Sequence, residues 1–331
     1  MINKYFAKIT GTGRYLPDKI LNNFDLEKMV DTTDEWIRTR TGMFERHIAT
    51  KDQAASDLAY EAAVPAIEAA GLKAKDLDMI IVASISNDHM FPSTGCILQK
   101  KLGAKNIPAF DLSAGCTGWI YATNVAKQYI ETGAAQNILV VGVEVLSKIT
   151  NWKDRNTCVL FGDGAGATVI SRSEPKDISR FIDSEIAADG YHSELLVQPA
   201  GGSRMPASKE TVQKNLHTIY MEGNKIFKLA VKSMYAVCDT VLKRNNMDVQ
   251  TIDWLITHQA NMRIIEALGS KLKIDESKVI VNIEKYANTS AATIPIALDE
   301  AIRSGKIRRG EIVLTASFGA GLTSGSLLFR V

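Results

Sequence analysis

The chain has 331 residues, 46% of them hydrophobic and 23% charged, with 39 basic against 37 acidic side chains and a formal charge of +2. Charge so nearly balanced excludes a field that would draw nucleic acid or a membrane surface. The apolar share excludes a disordered chain and supplies a core for one large domain or two fused ones.

The N-terminal run Met1 to Lys8 lacks the long apolar stretch of a signal peptide. Ser56 to Ala70 reads as a helix, and Met79 to Ser84 as a buried strand. Cys116 follows an apolar strand-like run and precedes the helix-like window Trp119 to Thr132, which Gly133 stops. Asn137 to Gly142 is another strand. The richest apolar run, Ile138 to Leu146, is too short to span a bilayer and carries Glu144. Gly162-Asp163-Gly164-Ala165-Gly166 is no dinucleotide fingerprint, because Ala167 to Ile170 after it reads as strand, so close backbone packing is expected instead.

Alternating strands and helices predict an α/β fold, and the second half repeats the order of the first. Asp253 to His258 answers Asp78 to Ala83. Asn288 opens the helix-like run Thr293 to Ser304 as Cys116 opens its own, and Glu311 to Thr315 answers Asn137 to Val141. The intervals from strand to turn nearly agree, so two halves, 1–172 and 173–331, are expected. Packed together they would bring Cys116 and Asn288 to one central site.

Cys96, Cys116, Cys158 and Cys238 show neither CxxC pairing nor metal-ligand spacing, which fits a reduced, cytoplasmic setting. Cys96, Cys158 and Cys238 are expected as inert core thiols. A thiol at a helix start meets unpaired N–H groups and the positive end of the dipole, which favour the thiolate. His258 ends an apolar strand, where reactive groups of α/β sheets gather. Taken singly, Cys116 reads sooner as a small buried thiol and His258 as a bonded core residue, while Asn288 reads as readily as a helix cap. Together they suggest a catalytic set.

Ala114-Gly115-Cys116-Thr117-Gly118, Thr257-His258-Gln259-Ala260-Asn261, Asn288-Thr289-Ser290-Ala291-Ala292 and Phe161 to Ala167 resemble the β-ketoacyl-ACP synthase III family. So do Gly11 to Pro17, Val30 to Ile37 and Phe318 to Thr323, in register from about residue 8 to the C-terminus. The resemblance implies a thiolase-like five-layered αβαβα fold of two similar halves, acting as a homodimer. It implies an acyltransferase that initiates type II fatty acid synthesis: Cys116 takes an acyl group from acyl-CoA, and malonyl-ACP then decarboxylates and condenses with it. His258 and Asn288 would serve the decarboxylation, and the backbone N–H groups of Cys116 and Ala320 an oxyanion hole. For CoA the resemblance implies Trp36 and Arg155 around adenine, Thr32 and Arg40 along its approach, and Gly223 and Asn261 near the pantetheine arm. Lys228, Arg263 and Lys271 would receive the acidic carrier protein, and Phe91 would reach the partner subunit's acyl pocket. No metal or resident cofactor is implied.

Three positions depart from the family pattern. Ala287 stands where Gly is common, Ser324 where an aromatic is frequent, and Arg38 adds a cation near the expected CoA mouth. Two rivals remain open at this point: a homologue of secondary metabolism with another acceptor, and a non-catalytic acyl-CoA-binding scaffold.

Overall fold

The computed structural model describes residues 5–331; Met1 to Lys4, half of the N-terminal run read above, lie outside the described residues. In chain order, the first half supplies strands β1 (Phe6–Tyr15), β2 (Met79–Ala83), β3 (Ala109–Leu112), β4 (Asn137–Val145) and β5 (Asp163–Ser173). Its main helices are α1 (Asp34–Thr41), α2 (Ala55–Ala69), α3 (Thr94–Leu102) and α4 (Gly118–Glu131). The second half supplies β6 (Arg180–Ala188), β7 (Trp254–Thr257), β8 (Val279–Ile280), β9 (Ile312–Gly319) and β10 (Thr323–Arg330), with α5 (Gly223–Arg244), α6 (Met262–Leu272) and α7 (Thr293–Arg303).

Each half builds a five-stranded mixed sheet, in the orders β1-β5-β4-β2-β3 and β6-β10-β9-β7-β8. The pairings correspond strand for strand. β1 runs antiparallel to β5, β5 to β4, and β2 lies parallel to both β4 and β3. In the second sheet β6 is antiparallel to β10, β10 to β9, and β7 parallel to both β9 and β8. The repeated order of motifs in the sequence is thus repeated in topology.

The sheets enclose α4 and α7, whose apolar faces pack with both. α2 covers the outer face of the first sheet and α5 with α6 that of the second, completing five layers, α, β, α, β, α. The central strands are buried on both faces, as Met79–Ala83 shows, and so read as unbroken apolar runs rather than alternating ones. Ala167 to Ile170 lies in β5 as expected, and the glycines before it pack closely. A Cβ at Gly166 would meet the backbone nitrogen of Ile296 at 2.7 Å, so α7 approaches this strand only because the side chain is absent. Cys158 and Cys238 are buried, but Cys96 is exposed on α3 and is no core thiol: its helix turns that position outward. Among the described residues, no helix is long and apolar enough to cross a membrane.

Candidate active site

Cys116 sits in a single helical turn, Gly115–Thr117, between β3 and α4. The second half holds this turn in place. Ser317 Oγ donates to the Cys116 carbonyl at 2.9 Å, and Thr323 Oγ1 to that of Ala114 at 2.8 Å. A Cβ at Gly319 would lie 2.5 Å from the Cys116 nitrogen, so the Gly319–Ala320 segment lies flush against the cysteine turn. The backbone N–H groups of Cys116 and Ala320 therefore belong to touching segments.

The helix start alone predicts a lowered thiol pKa; the structure shows the reverse. Burial pushes the Cys116 thiol up to about 12, opposed by the Ser290 hydroxyl and reinforced by nearby Glu144. Desolvation of a thiolate outweighs the dipole here. The resting residue is a thiol, and its reaction needs somewhere to send a proton.

His258 follows β7, is 2% exposed, and has a pKa pushed down to about 3 by burial, so it is neutral at ordinary pH. Its Nδ1 lies 2.8 Å from Thr293 Oγ1, which is also 3.0 Å from the Ser290 carbonyl. That hydroxyl has one proton and two acceptors within reach. Given to Nδ1, it leaves the imidazole hydrogen on Nε2; given to Ser290, it leaves Nε2 as an acceptor.

Asn288 is held by a bridge between the halves: its N–H donates to Leu160 O, and its carbonyl accepts from Gly162 N, both at 3.0 Å. Its Oδ1 accepts from Ser290 N–H at 2.8 Å, which turns the side-chain NH2 into the group available to the cavity it lines. Ala287 before it has φ 52° and ψ −151°, a region where glycine is at ease and alanine is not. The departure at this position is therefore a backbone matter, not a question of room for a methyl group.

Two cavities meet at Cys116 and Phe161. The first holds His258 and Asn288 and runs past Gly223, Phe227 and Asn261 on the α5–α6 side. The second, about 730 Å³, runs past Ser86, Met90, Leu146, Ile219, Ser290 and Ala320. Ser324 lines neither. It is buried in β10 between Phe318 and Ala187, so its small size concerns packing rather than the cavity wall.

The other expected residues fall around this junction. The Trp36 ring has the Arg40 and Arg155 guanidiniums at 5.0 and 5.3 Å from its centroid. A flat ring inserted between Trp36 and Arg155 needs two gaps of about 3.5 Å, so Arg155 would have to swing outward from its bond to Asp31 O. Thr32 Oγ1 is buried without a partner among the described residues. Arg38 is engaged elsewhere, on Asp34 at 3.2 Å and over the Phe44 ring. Asn261 caps α6 and donates to Arg40 O at 3.1 Å, tying α1 to the cavity wall. Lys228 on α5, with Arg263 and Lys271 on α6, is exposed on the helix pair beside the first cavity. Phe91 is 85% exposed and apart from both cavities.

Sequence reasoning missed Glu144 and Thr293 and gave Ser290 no role. Glu144 was visible as the one charge in an apolar strand, a signal of a buried ionisable group.

Two family models match the chain: 3-oxoacyl-[acyl-carrier-protein (ACP)] synthase III over residues 110–190, and its C-terminal part over 242–331. A β-ketoacyl-[acyl-carrier-protein] synthase III from Caldanaerobacter subterraneus subsp. tengcongensis is 58% identical over 330 residues, 100% of this chain and 99% of its own. One from Clostridioides difficile is 50% identical, covering 98% of each chain. Among solved structures, the 3-oxoacyl-[acyl-carrier-protein] synthase III of Aquifex aeolicus is 48% identical with a TM-score of 0.90, over 98% of this chain and 100% of that one.

Proposed function

The chain belongs to the 3-oxoacyl-ACP synthase III family, and on that premise we propose how it condenses an acyl-CoA primer with malonyl-ACP. The family's members are acyltransferase-type condensing enzymes of fatty acid synthesis. Cys116 attacks the acyl thioester, keeps the acyl group in the 730 Å³ cavity, and releases CoA through the other. Malonyl-ACP then enters by the same route and loses carbon dioxide. Its enolate oxygen accepts hydrogen bonds from Asn288 Nδ2 and from His258 Nε2–H, the tautomer obtained when Thr293 donates to Nδ1. The carbanion attacks the acyl-Cys116 thioester, whose oxyanion is met by the N–H groups of Cys116 and Ala320. One such donor lowers the barrier by about 3 kcal/mol.

A single observation carries this reading: a thiol, a neutral imidazole and an amide converge where two cavities join, one for each partner in the condensation. Trp36 and Arg155 would stack on adenine and Arg40 meet phosphate, with Thr32 along the approach and Gly223 and Asn261 beside the pantetheine arm. Their flat and cationic faces suit that ligand. Lys228, Arg263 and Lys271 would meet the acidic carrier protein. The exposed Met90 and Phe91 suit burial by a second copy, hence a homodimer. All the groups named are supplied by the chain and its substrates, so the reaction runs without a resident cofactor or metal. We place it in the cytoplasm.

The test is intact mass spectrometry with a panel of acyl-CoAs, followed by malonyl-ACP. A mass gain on Cys116 that disappears as 3-oxoacyl-ACP forms supports the reaction and reveals the primer. Stable acylation without condensation would point to another acceptor, and no acylation at all would refute the nucleophile.

A further inference from the structure

Beside the nucleophile lies a buried acid that the condensation scheme leaves unused. We propose that Ser290 and Glu144 form a proton relay, accepting the Cys116 thiol proton during acylation and returning it when the condensation product departs. The inference rests on Cys116 being the nucleophile.

Glu144 is in β4, fully buried, and its carboxylate accepts from Ser290 Oγ at 3.0 Å, Ser86 Oγ at 2.5 Å, Ser84 Oγ at 3.3 Å and Ile85 N–H at 3.2 Å. All four donors are neutral. A carboxylate buried with no cation beside it is costly to keep for structure alone, where a glutamine would serve. Ser290 links it to the site. With its hydroxyl donated to Glu144, the Ser290 oxygen keeps a lone pair free on the side of the cavity that Cys116 also lines. Its backbone has φ 48°, a left-handed conformation that a non-glycine residue holds only when its surroundings insist. Here the Asn288 side chain accepts from its N–H at 2.8 Å. Ser290 and Cys116 share the wall of the larger cavity.

Other ionisable groups nearby are otherwise engaged. Asp163, next to the strand partner of Glu144, accepts from Ala49 N and Ser147, and Asp88 accepts from Ser56 N. His258, with Nε2 carrying its hydrogen, has no lone pair to offer the thiol. Burial supports the same order of basicity: it raises Glu144 to about 7 and depresses His258 to about 3, so a proton goes to the carboxylate far more readily than to the imidazole.

In acylation the Cys116 sulfur–carbon bond forms as the S–H bond breaks. Ser290 takes that proton while passing its own to Glu144, the bond from acyl carbon to CoA sulfur breaks, and the CoA thiolate takes a proton from solvent. In condensation the new carbon–carbon bond forms and the Cys116–acyl bond breaks. The leaving thiolate then recovers its proton from Glu144 through Ser290. The enzyme ends the cycle unchanged.

The test is rapid-quench intact mass measurement of acyl-Cys116, on either side of pH 7, for wild type, Ser290→Ala, Glu144→Gln and Glu144→Asp. Wild-type acylation should quicken as pH rises through the ionisation of Glu144. Ser290→Ala and Glu144→Gln should each acylate about 100-fold more slowly and lose that dependence, while Glu144→Asp restores part of it. Should Glu144→Gln fail to fold, Ser290→Ala decides alone. Wild-type rates and an unchanged pH profile in Ser290→Ala, or in a folded Glu144→Gln, would overturn the relay and leave the nucleophile standing. Absence of acylation in the wild type would overturn both.

Discussion

Asn288→Asp separates the two half-reactions more cleanly than truncation does. The Asn288 oxygen accepts from the buried Ser290 N–H at 2.8 Å, so alanine would strand that donor at a cost of about 1–3 kcal/mol and disturb Ser290. Aspartate keeps an acceptor there and changes only the group facing the cavity. It removes the donor to the enolate, worth about 3 kcal/mol, and sets a carboxylate against the developing negative charge, a further penalty of about 4 kcal/mol at contact distance. Condensation should fall at least about 10²-fold even if the charge term is largely relaxed. Acylation, which does not use the amide, should stay near wild type. Because the protonated acid can donate, residual condensation should rise as pH falls. Intact mass reports acylation, and carbon dioxide release reports decarboxylation. Condensation within tenfold of wild type, or equal loss in both steps, would refute the assigned role.

Thr293→Val removes the hydroxyl that sets the His258 tautomer; condensation should drop about tenfold with acylation retained, and unchanged turnover would show the hydroxyl to be idle. Ala287→Gly relieves about 1–3 kcal/mol of backbone strain, against losses of about 0.4–1 kcal/mol for unfolded-state entropy and about 0.8 kcal/mol for a buried methyl. On mid-range values the net gain of roughly 0.5 kcal/mol should raise Tm by somewhat under about 1 °C in a chain of this length, and a calorimetric Tm lower by more than about 1 °C would contradict the strain. Glu144 has its pKa raised from 4.5 to about 7 in the fold, so its contribution is fully present below the ordinary value and is lost as pH rises through the folded one, on the order of 3 kcal/mol. His258, lowered from 6.5 to about 3, acts in the opposite sense in both proteins. Subtracting the Glu144→Gln unfolding curve from that of wild type should leave the Glu144 loss alone, and a flat difference across that window would count against a buried carboxylate.

Local pattern carried most of the architecture. Unbroken runs such as Met79–Ala83 mark strands buried on both faces, and the repeated order of strand, turn and helix foretold two sheets of one topology. Cys116 and His258 were legible because each ends or follows an apolar run at a turn, and Asn288 because small residues after it open a helix-like run; all three line one cavity. Ser324 and Arg38 were not, since whether a side chain lines a cavity or pairs with Asp34 depends on neighbours distant in sequence. The same holds for ionisation. A helix start is visible in the sequence and argues for a thiolate, but the desolvation that reverses it belongs to the packed surroundings of Cys116. Nor could sequence join Ser290 to Glu144, 146 positions away, into one hydrogen-bonded line. Residue type and period determine which groups exist and which strand or turn bears them; proton affinity and partnership are set by what surrounds a group in space, which only the packed halves decide.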